Sequence, residues 1–367
     1  MTTQRPASSP DVAIVHDYFA IRGGGERLVL TAANALGARL VYGFRSDESY
    51  DANAFPVDTV ELNTPKFLRN SSVRQVVLAL QFKAARRMLE SYPVRMFSGA
   101  AAPFAAEQKP GARNIYYCHT PPRFLYDQRQ LFSGAVEQTL AGKFALSWYQ
   151  REYEAAIGRM DVIVANSETV KERIRTYLGQ DAQVVYPPCD LPSFQWRQQG
   201  SYYLSTARLS KLKRVDRIVE AFRRLPDRQL VVASSGEELD TLRKLAADAP
   251  NITFLGWVGE SEMRKLIGEA IATVYVPVDE DFGMSPVESM AAGKPVIGVA
   301  EGGLRETIVD GETGILLPPG FTADDLARAA DALTPEKALS MRRACEARAE
   351  LFSQERFITG ISRILGV

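Results

Sequence analysis

Several things are scarce in this 367-residue chain, and each scarcity closes off a class of protein. Cysteine occurs three times, as Cys118, Cys189 and Cys345. That odd, widely spaced set is no disulfide framework and points to reduced thiols in a cytoplasmic protein. Histidine occurs twice, as His16 and His119, no cysteine pair has zinc spacing and no EF-hand loop is present. A metal is therefore not expected. No run of 18 or more apolar residues exists, so nothing is expected to span a membrane. Met1–Pro10 lacks the apolar centre of a signal peptide. Neither charge sign is in excess: 44 basic and 44 acidic residues cancel, leaving no global field for nucleic acid.

What is present is a long α/β rhythm. The length fits two domains, and 46% hydrophobic residues supply two cores. Short β-branched runs alternate with helical patterns, which predicts parallel sheets wound with helices. The first series of strands is expected at 12–15, 39–42, 94–98, 114–118, 161–165 and 183–186. The second is expected at 202–206, 229–233, 252–255, 272–276, 295–299 and 314–317. Between them Pro187-Pro188 and the polar stretch 195–201 read as a linker. The expected domains are 1–192 and 193–350, with a ligand in the cleft between them at strand carboxyl ends.

The densest local signal is Glu280-Asp281-Phe282-Gly283-Met284-Ser285-Pro286-Val287-Glu288, followed by Gly302-Gly303. Ser285, Pro286 and Glu288 read as N-cap, first and third residues of a helix, a capping box worth about 1 kcal/mol. That helix start would offer amides and a positive dipole end to phosphate or hydroxyl oxygens. Capping alone could account for Glu288; Glu280, ahead of the turn, has no such structural duty. Asp279, Glu280 and Asp281 alternate in direction, which favours separate hydrogen bonds over a shared metal. Arg208 and Lys213 follow the first strand of the second series, where two fixed cations would neutralise a diphosphate. In the first series Gly23-Gly24-Gly25-Glu26 opens a helix expected at 27–36, and His119 closes a strand before Thr120-Pro121-Pro122. Those glycines allow close approach of a ligand to the backbone, without forming a dinucleotide fingerprint. Cys118 and His119, as strand neighbours, point to opposite faces and cannot act together. Residues 61–96 carry seven basic residues against Glu61 and Glu90, interleaved with apolar ones. This is either a membrane-docking amphipathic surface, centred on 66–95, or a surface helix with a buried stripe.

Taken together these residues resemble the retaining glycosyltransferases of family GT4, across nearly the whole chain. The residues concerned are Gly23–Glu26, Ile115–Pro122, Asp161–Ser167, Tyr186–Asp190, Arg208 with Lys213, Asn251–Gly256, Glu280 with Glu288, and a closing helix at 352–365. Tyr116–Arg123, Gly23–Arg27, Lys213-Arg214 and Glu280–Gly283 resemble the narrower WbaZ-type mannosyltransferases. The resemblance implies the GT-B fold, two Rossmann-like domains with parallel sheets facing across a cleft. It also implies a helix at 351–367 crossing back to the first domain. It implies that Glu280 meets hydroxyls of the donor hexose and Glu288 the nucleotide ribose. Arg208 and Lys213 would hold the diphosphate, and His119 would lie beside the transferred sugar. Gly24, Gly25, Val258, Gly283, Met284 and Ser285 would complete the donor site. No cofactor or metal is implied, because Arg and Lys take the electrostatic part. Two departures stand out. Ala233-Ser234-Ser235-Gly236 replaces a more glycine-rich turn, and Lys213-Arg214 replaces Lys-Gly of the wider family.

The expected function is transfer of mannose from GDP-mannose to a glycan or polyprenyl-diphosphate-linked acceptor, at the inner membrane face. A UDP-hexose donor such as UDP-glucose is the alternative on the same scaffold. A nucleotide-sugar epimerase, a phosphorylase and a non-catalytic sugar-binding protein are the competing classes. Acceptor pockets are expected around 23–25, 66–88 and 121–130.

Overall fold

The computed structural model describes residues 11–71, 73–129, 139–247 and 249–367. Met1–Pro10, Ser72, Gln130 with 131–138, and Asp248 lie outside the described residues, and with them the expectation for the first ten residues and the end of the 121–130 loop. The chain divides into two compact units, 1–187 with 357–367, and 188–356.

The first unit holds β1 (Val12–His16), β2 (Arg39–Tyr42), β3 (Thr59–Glu61), β4 (Val94–Ser98), β5 (Arg113–Cys118), β6 (Val162–Ala165) and β7 (Gln183–Val184). They form one parallel sheet in the order β3-β2-β1-β4-β5-β6-β7. β1 shows why the sheet is buried on both sides. Val12 and Ile14 join one core, with Leu28, Val29, Met96 and Tyr117. Ala13 and Val15 join the other, with Phe97, Tyr116, Tyr149 and Tyr153. A run apolar on both faces is what a helix-covered parallel sheet requires. Phe357, Ile361, Ile364 and Leu365, from the helix Gln354–Leu365, complete the first of these cores.

The second unit holds β8 (Tyr202–Ser205), β9 (Gln229–Val232), β10 (Ile252–Phe254), β11 (Ala272–Val274), β12 (Val296–Val299) and β13 (Gly314–Leu317). Their order is β10-β9-β8-β11-β12-β13, again wholly parallel. Both units are thus the Rossmann-like α/β type expected. All twelve anticipated strands are present, with ends shifted by at most two residues. β3 was not anticipated: three half-buried residues, Thr-Val-Glu, carry too little pattern.

Each sheet reverses strand order once, at β1/β4 and at β8/β11. Loops leaving adjacent strands part there in opposite directions, and open α/β sheets bind ligands at such switch points. The segment 61–96 folds as the short helix Lys66–Arg69, the helix Arg74–Ala84 and a tight turn 85–89 before β4. Leu78, Ala79, Phe82 and Leu89 are core. Arg69, Arg74, Lys83, Arg86 and Arg95 bond within the unit, Lys83 to Glu152 and the others to backbone carbonyls. Phe67 (80% exposed), Leu80 and Met88 stay on the surface with Lys66 and Arg87. Among the described residues no helix is long and apolar enough to cross a membrane.

Candidate active site

At the β8/β11 switch point the loop after β8 brings Lys213 to the start of the helix Val215–Phe222. Its Nζ donates to Glu280 Oε2 at 2.7 Å and to the Tyr275 hydroxyl at 2.9 Å. Tyr275 follows β11 and is buried. Burial, with Glu280, Glu288 and Asp281 close by, pushes its phenol well above the ordinary tyrosine range, so it stays protonated. Tyr275 is therefore the point on which Lys213, Glu280 and Glu288 converge, and the motif reading had missed it. Arg208 stands apart, largely exposed and 3.5 Å from Glu237.

The helix after Glu280 runs from Met284 to Ala291, and this corrects the capping box expected at Ser285. Gly283 is the N-cap, in the left-handed region at φ 97°, and no side chain caps the helix. Ser285 is the second helical residue and Glu288 the fifth. Glycine reaches that conformation without steric cost. Pro286, third in the helix, sits where an N–H would have no helical acceptor. The same geometry leaves the Met284 and Ser285 amides without intrahelical partners, as expected of an anion-facing end. A capping box does exist elsewhere, between Thr322 and Asp325.

The loop carrying Glu280 is held from behind. Gly303 N donates to Glu280 O at 2.8 Å, and a Cβ on Gly302 would fall 2.2 Å from that same oxygen. Only glycine tolerates that approach, which gives the Gly302-Gly303 pair its purpose. Asp279 adopts φ 45° and bonds through its amide to Glu301, while Glu280 turns to Lys213. The Asp279 amide and the Glu280 carboxylate thus meet different groups. Among the described residues no three His, Cys, Asp or Glu gather to hold a metal ion. Val258 precedes Gly259, the N-cap of the helix Glu260–Glu269, whose first turn already carries Glu260 and Glu262.

In the first unit, the β1/β4 switch point pairs His16 with Ser98 across the ladder. His16 Nδ1 lies 3.2 Å from Ser98 O, so Nδ1 carries the proton, and 3.1 Å from Ser98 Oγ. Ser98 Oγ is 2.8 Å from His119 Nε2, which links the two imidazoles through the serine hydroxyl. Burial, then the charge of His119, holds His16 at about 3, and burial holds His119 at about 4; both are neutral at pH 7. The His119 ring rests against Gly25, where a Cβ would come within 3.3 Å. Gly24 and Gly25 are already helical, in a helix Gly24–Ala35 that starts earlier than expected. Asp17 accepts from the amides of Ala100, Ala101 and Ala102, yet burial still raises it to about 6. Burial also raises Glu26 to about 7. His16, Ser98, Asp17 and Glu26 had not been read as site residues.

In the second unit a cavity of about 770 Å³ beside Trp196 and Arg342 includes none of the residues named for the donor. Each unit presents its own polar surface at its switch point.

Residues 22–192 match the family model Glycosyltransferase Family 4, and residues 191–351 match Glycosyl transferases group 1. The chain belongs to glycosyltransferase family 4. It is 27% identical to the alpha-1,3/1,6-mannosyltransferase ALG2 of Mus musculus, over 85% of each chain. It is 25% identical to the lipopolysaccharide core biosynthesis glycosyltransferase LpsE of Rhizobium meliloti (strain 1021), over 90% of this chain and 91% of that one. Its fold matches Anabaena Alr3699/HepE, crystallised with UDP and glucose, at TM-score 0.74 and 18% identity, over 97% and 99% of the two chains. Sucrose-phosphate synthase from Thermosynechococcus elongatus matches at TM-score 0.75 and 18% identity, over 96% and 98%. The GT-B fold class thus holds for this family 4 chain.

Proposed function

We propose that this glycosyltransferase moves mannose from GDP-mannose, with retention of configuration, to a lipid-linked surface glycan, as the WbaZ-type enzymes do. The observation that carries the donor reading is the convergence of Lys213, Glu280 and Glu288 on Tyr275, ahead of the helix start at Met284. A pyrophosphate bound there meets Lys213 and the Met284 and Ser285 amides, with Arg208 approaching from its exposed loop. Glu280 grips the hexose hydroxyls and Glu288 the ribose, while Val258 and Gly283 line the nucleotide. Negative charge growing on the departing diphosphate is met by fixed cations and amides, so no divalent metal is required. The leaving phosphate takes the acceptor proton, which gives the two glutamates a binding task rather than acid and base roles. His119, neutral and braced by Ser98, serves the transferred sugar as a hydrogen-bonding wall, with Gly24 and Gly25 beside it.

Mannose is supported by the mannosyltransferase name of the ALG2 relative, and a surface glycan by that of LpsE. The UDP bound to HepE favours the second reading, a UDP-hexose donor. Peripheral membrane contact at the cytoplasmic face rests on Phe67, Leu80 and Met88 beside Lys66 and Arg87.

Thermal-shift titration of the purified chain with GDP-mannose and UDP-glucose tests the donor. Stabilisation by UDP-glucose alone overturns the mannose reading, and conversion of the nucleotide sugar without acceptor makes the protein an epimerase. Incubation with polyprenyl-diphosphate-linked acceptors, in EDTA, then reads the metal requirement, and NMR of the product reads the anomeric outcome.

A further inference from the structure

Among the described residues three other than glycine have positive φ: Asn63, Arg214 and Asp279. Two of them flank the donor site, each next to one of its charged groups: Arg214 follows Lys213 and Asp279 precedes Glu280. A left-handed conformation is strained for a residue with a Cβ, so glycine would be the easier choice at 214. Both residues meet the same carboxylate. Arg214 Nη1 and Nη2 donate to Glu301 Oε1 and Oε2 at 3.0 and 2.9 Å, a bidentate fork, and Asp279 N donates to Glu301 Oε2 at 3.3 Å. The fork is mostly shielded, with 23% and 16% of the two side chains exposed, and the guanidinium lies 5.7 Å from the Phe321 ring centre. Glu301 is followed by the glycines that press on Glu280, and Val278 N donates to Leu212 O at 2.8 Å.

We propose that Arg214 and Glu301 form a positioning clamp that fixes Lys213 and Glu280 in register for the donor. The proposal rests on the reading of these two residues as donor contacts. A planar fork with two parallel hydrogen bonds fixes orientation as well as distance, which a lysine in that place cannot do. Strain kept next to a functional group is held there by its surroundings, and here the holding group is Glu301. A purely structural turn would be served as well by glycine; the fork adds a set distance between the loops that bear Lys213 and Glu280.

Steady-state kinetics with GDP-mannose, run in parallel with UDP-glucose, separates the two roles. Arg214→Gly relieves the strained backbone and removes the fork. The expected result is an unchanged or higher melting temperature together with a fall in kcat/KM of about tenfold, short of the roughly 100-fold that a 1 Å misplacement can cost. Glu301→Gln should fall similarly, and the double variant should be no worse than Arg214→Gly alone, because one interaction is lost in each. Arg214→Lys keeps the charge without the fork and should not rescue. Wild-type kinetics in Arg214→Gly, losses that multiply in the double variant, or rescue by Arg214→Lys would each overturn the clamp. Should Arg214→Gly not fold, Glu301→Gln and Arg214→Lys carry the same comparison. Glu280→Gln is the control: if it transfers as wild type, the donor reading itself has failed, whatever the clamp variants do.

Discussion

At the β1/β4 switch point burial works against charge: it holds His16 and His119 neutral at pH 7, and it raises Asp17 to about 6 and Glu26 to about 7. At the β8/β11 switch point the groups are ionised and matched, Lys213 to Glu280 and Arg214 to Glu301. The topology is the same and the electrostatics are opposite. In the first place desolvation outweighs every hydrogen bond offered to a charge. In the second, partners within 3 Å let charges persist in a half-shielded surface.

The largest expected effect breaks the charged side. Glu280→Gln leaves the shape and removes the charge opposite Lys213. Transfer should fall by about 100-fold, as for other losses of a group that acts on the transition state. The pair is mostly shielded, with 25% and 22% of the two side chains exposed, and glutamine still offers Lys213 an acceptor oxygen, so the stability cost should be about 1–3 kcal/mol. A transfer assay beside a melting curve checks both, and a collapse of folding with no specific loss of transfer would mean that the pair is structural.

The neutral side is tested by pH. His16 sits at about 3 in the folded protein against 6.5 in an unfolded chain, so between those values the unfolded chain binds the extra proton. Stability is therefore lost as pH falls below 6.5. Asp17 and Glu26, raised to about 6 and about 7, work in the other direction, because there the folded protein binds the extra proton. His16→Asn removes one of two acid-sensitive members, His119 at about 4 being the other. Urea unfolding at pH 6.5 and pH 5 should show the variant losing about 2 kcal/mol less than wild type over that interval. Equal losses would show that burial does not set the state of His16.

The smallest effect concerns the helix at the charged site. Ser285→Ala should cost under about 0.5 kcal/mol, because Gly283 occupies the N-cap; Thr322→Ala, in a real capping box, should cost about 1 kcal/mol. Equal costs in the two variants would restore Ser285 as a cap.

The strands were legible because a parallel strand buried on both faces reads as a near-continuous apolar run rich in β-branched residues, as in Val12–Val15. β3 was not, since half-buried Thr59–Glu61 shares little of that pattern. Glu280, Lys213 and His119 were legible as motif residues. What braces them was not: Tyr275 lies 62 residues from Lys213, Glu301 lies 87 from Arg214, and Ser98 lies 82 from His16. Such pairs are set by strand order, which no local window contains. The cap at Gly283 was misread because serine before proline is the usual start of a helix, and only the backbone angle shows that glycine took the position first.

The helix Gln354–Leu365 packs Phe357, Ile361 and Ile364 against Val12, Ile14 and Leu28. These partners lie far apart in sequence, so the core they share closes a very long loop. The second unit draws all its strands from 188–356, whereas one face of the first unit's sheet is covered only with residues 357–367 in place. A chain cut short by a dozen residues would leave the His119 half exposed to proteases while the Lys213 half could still fold.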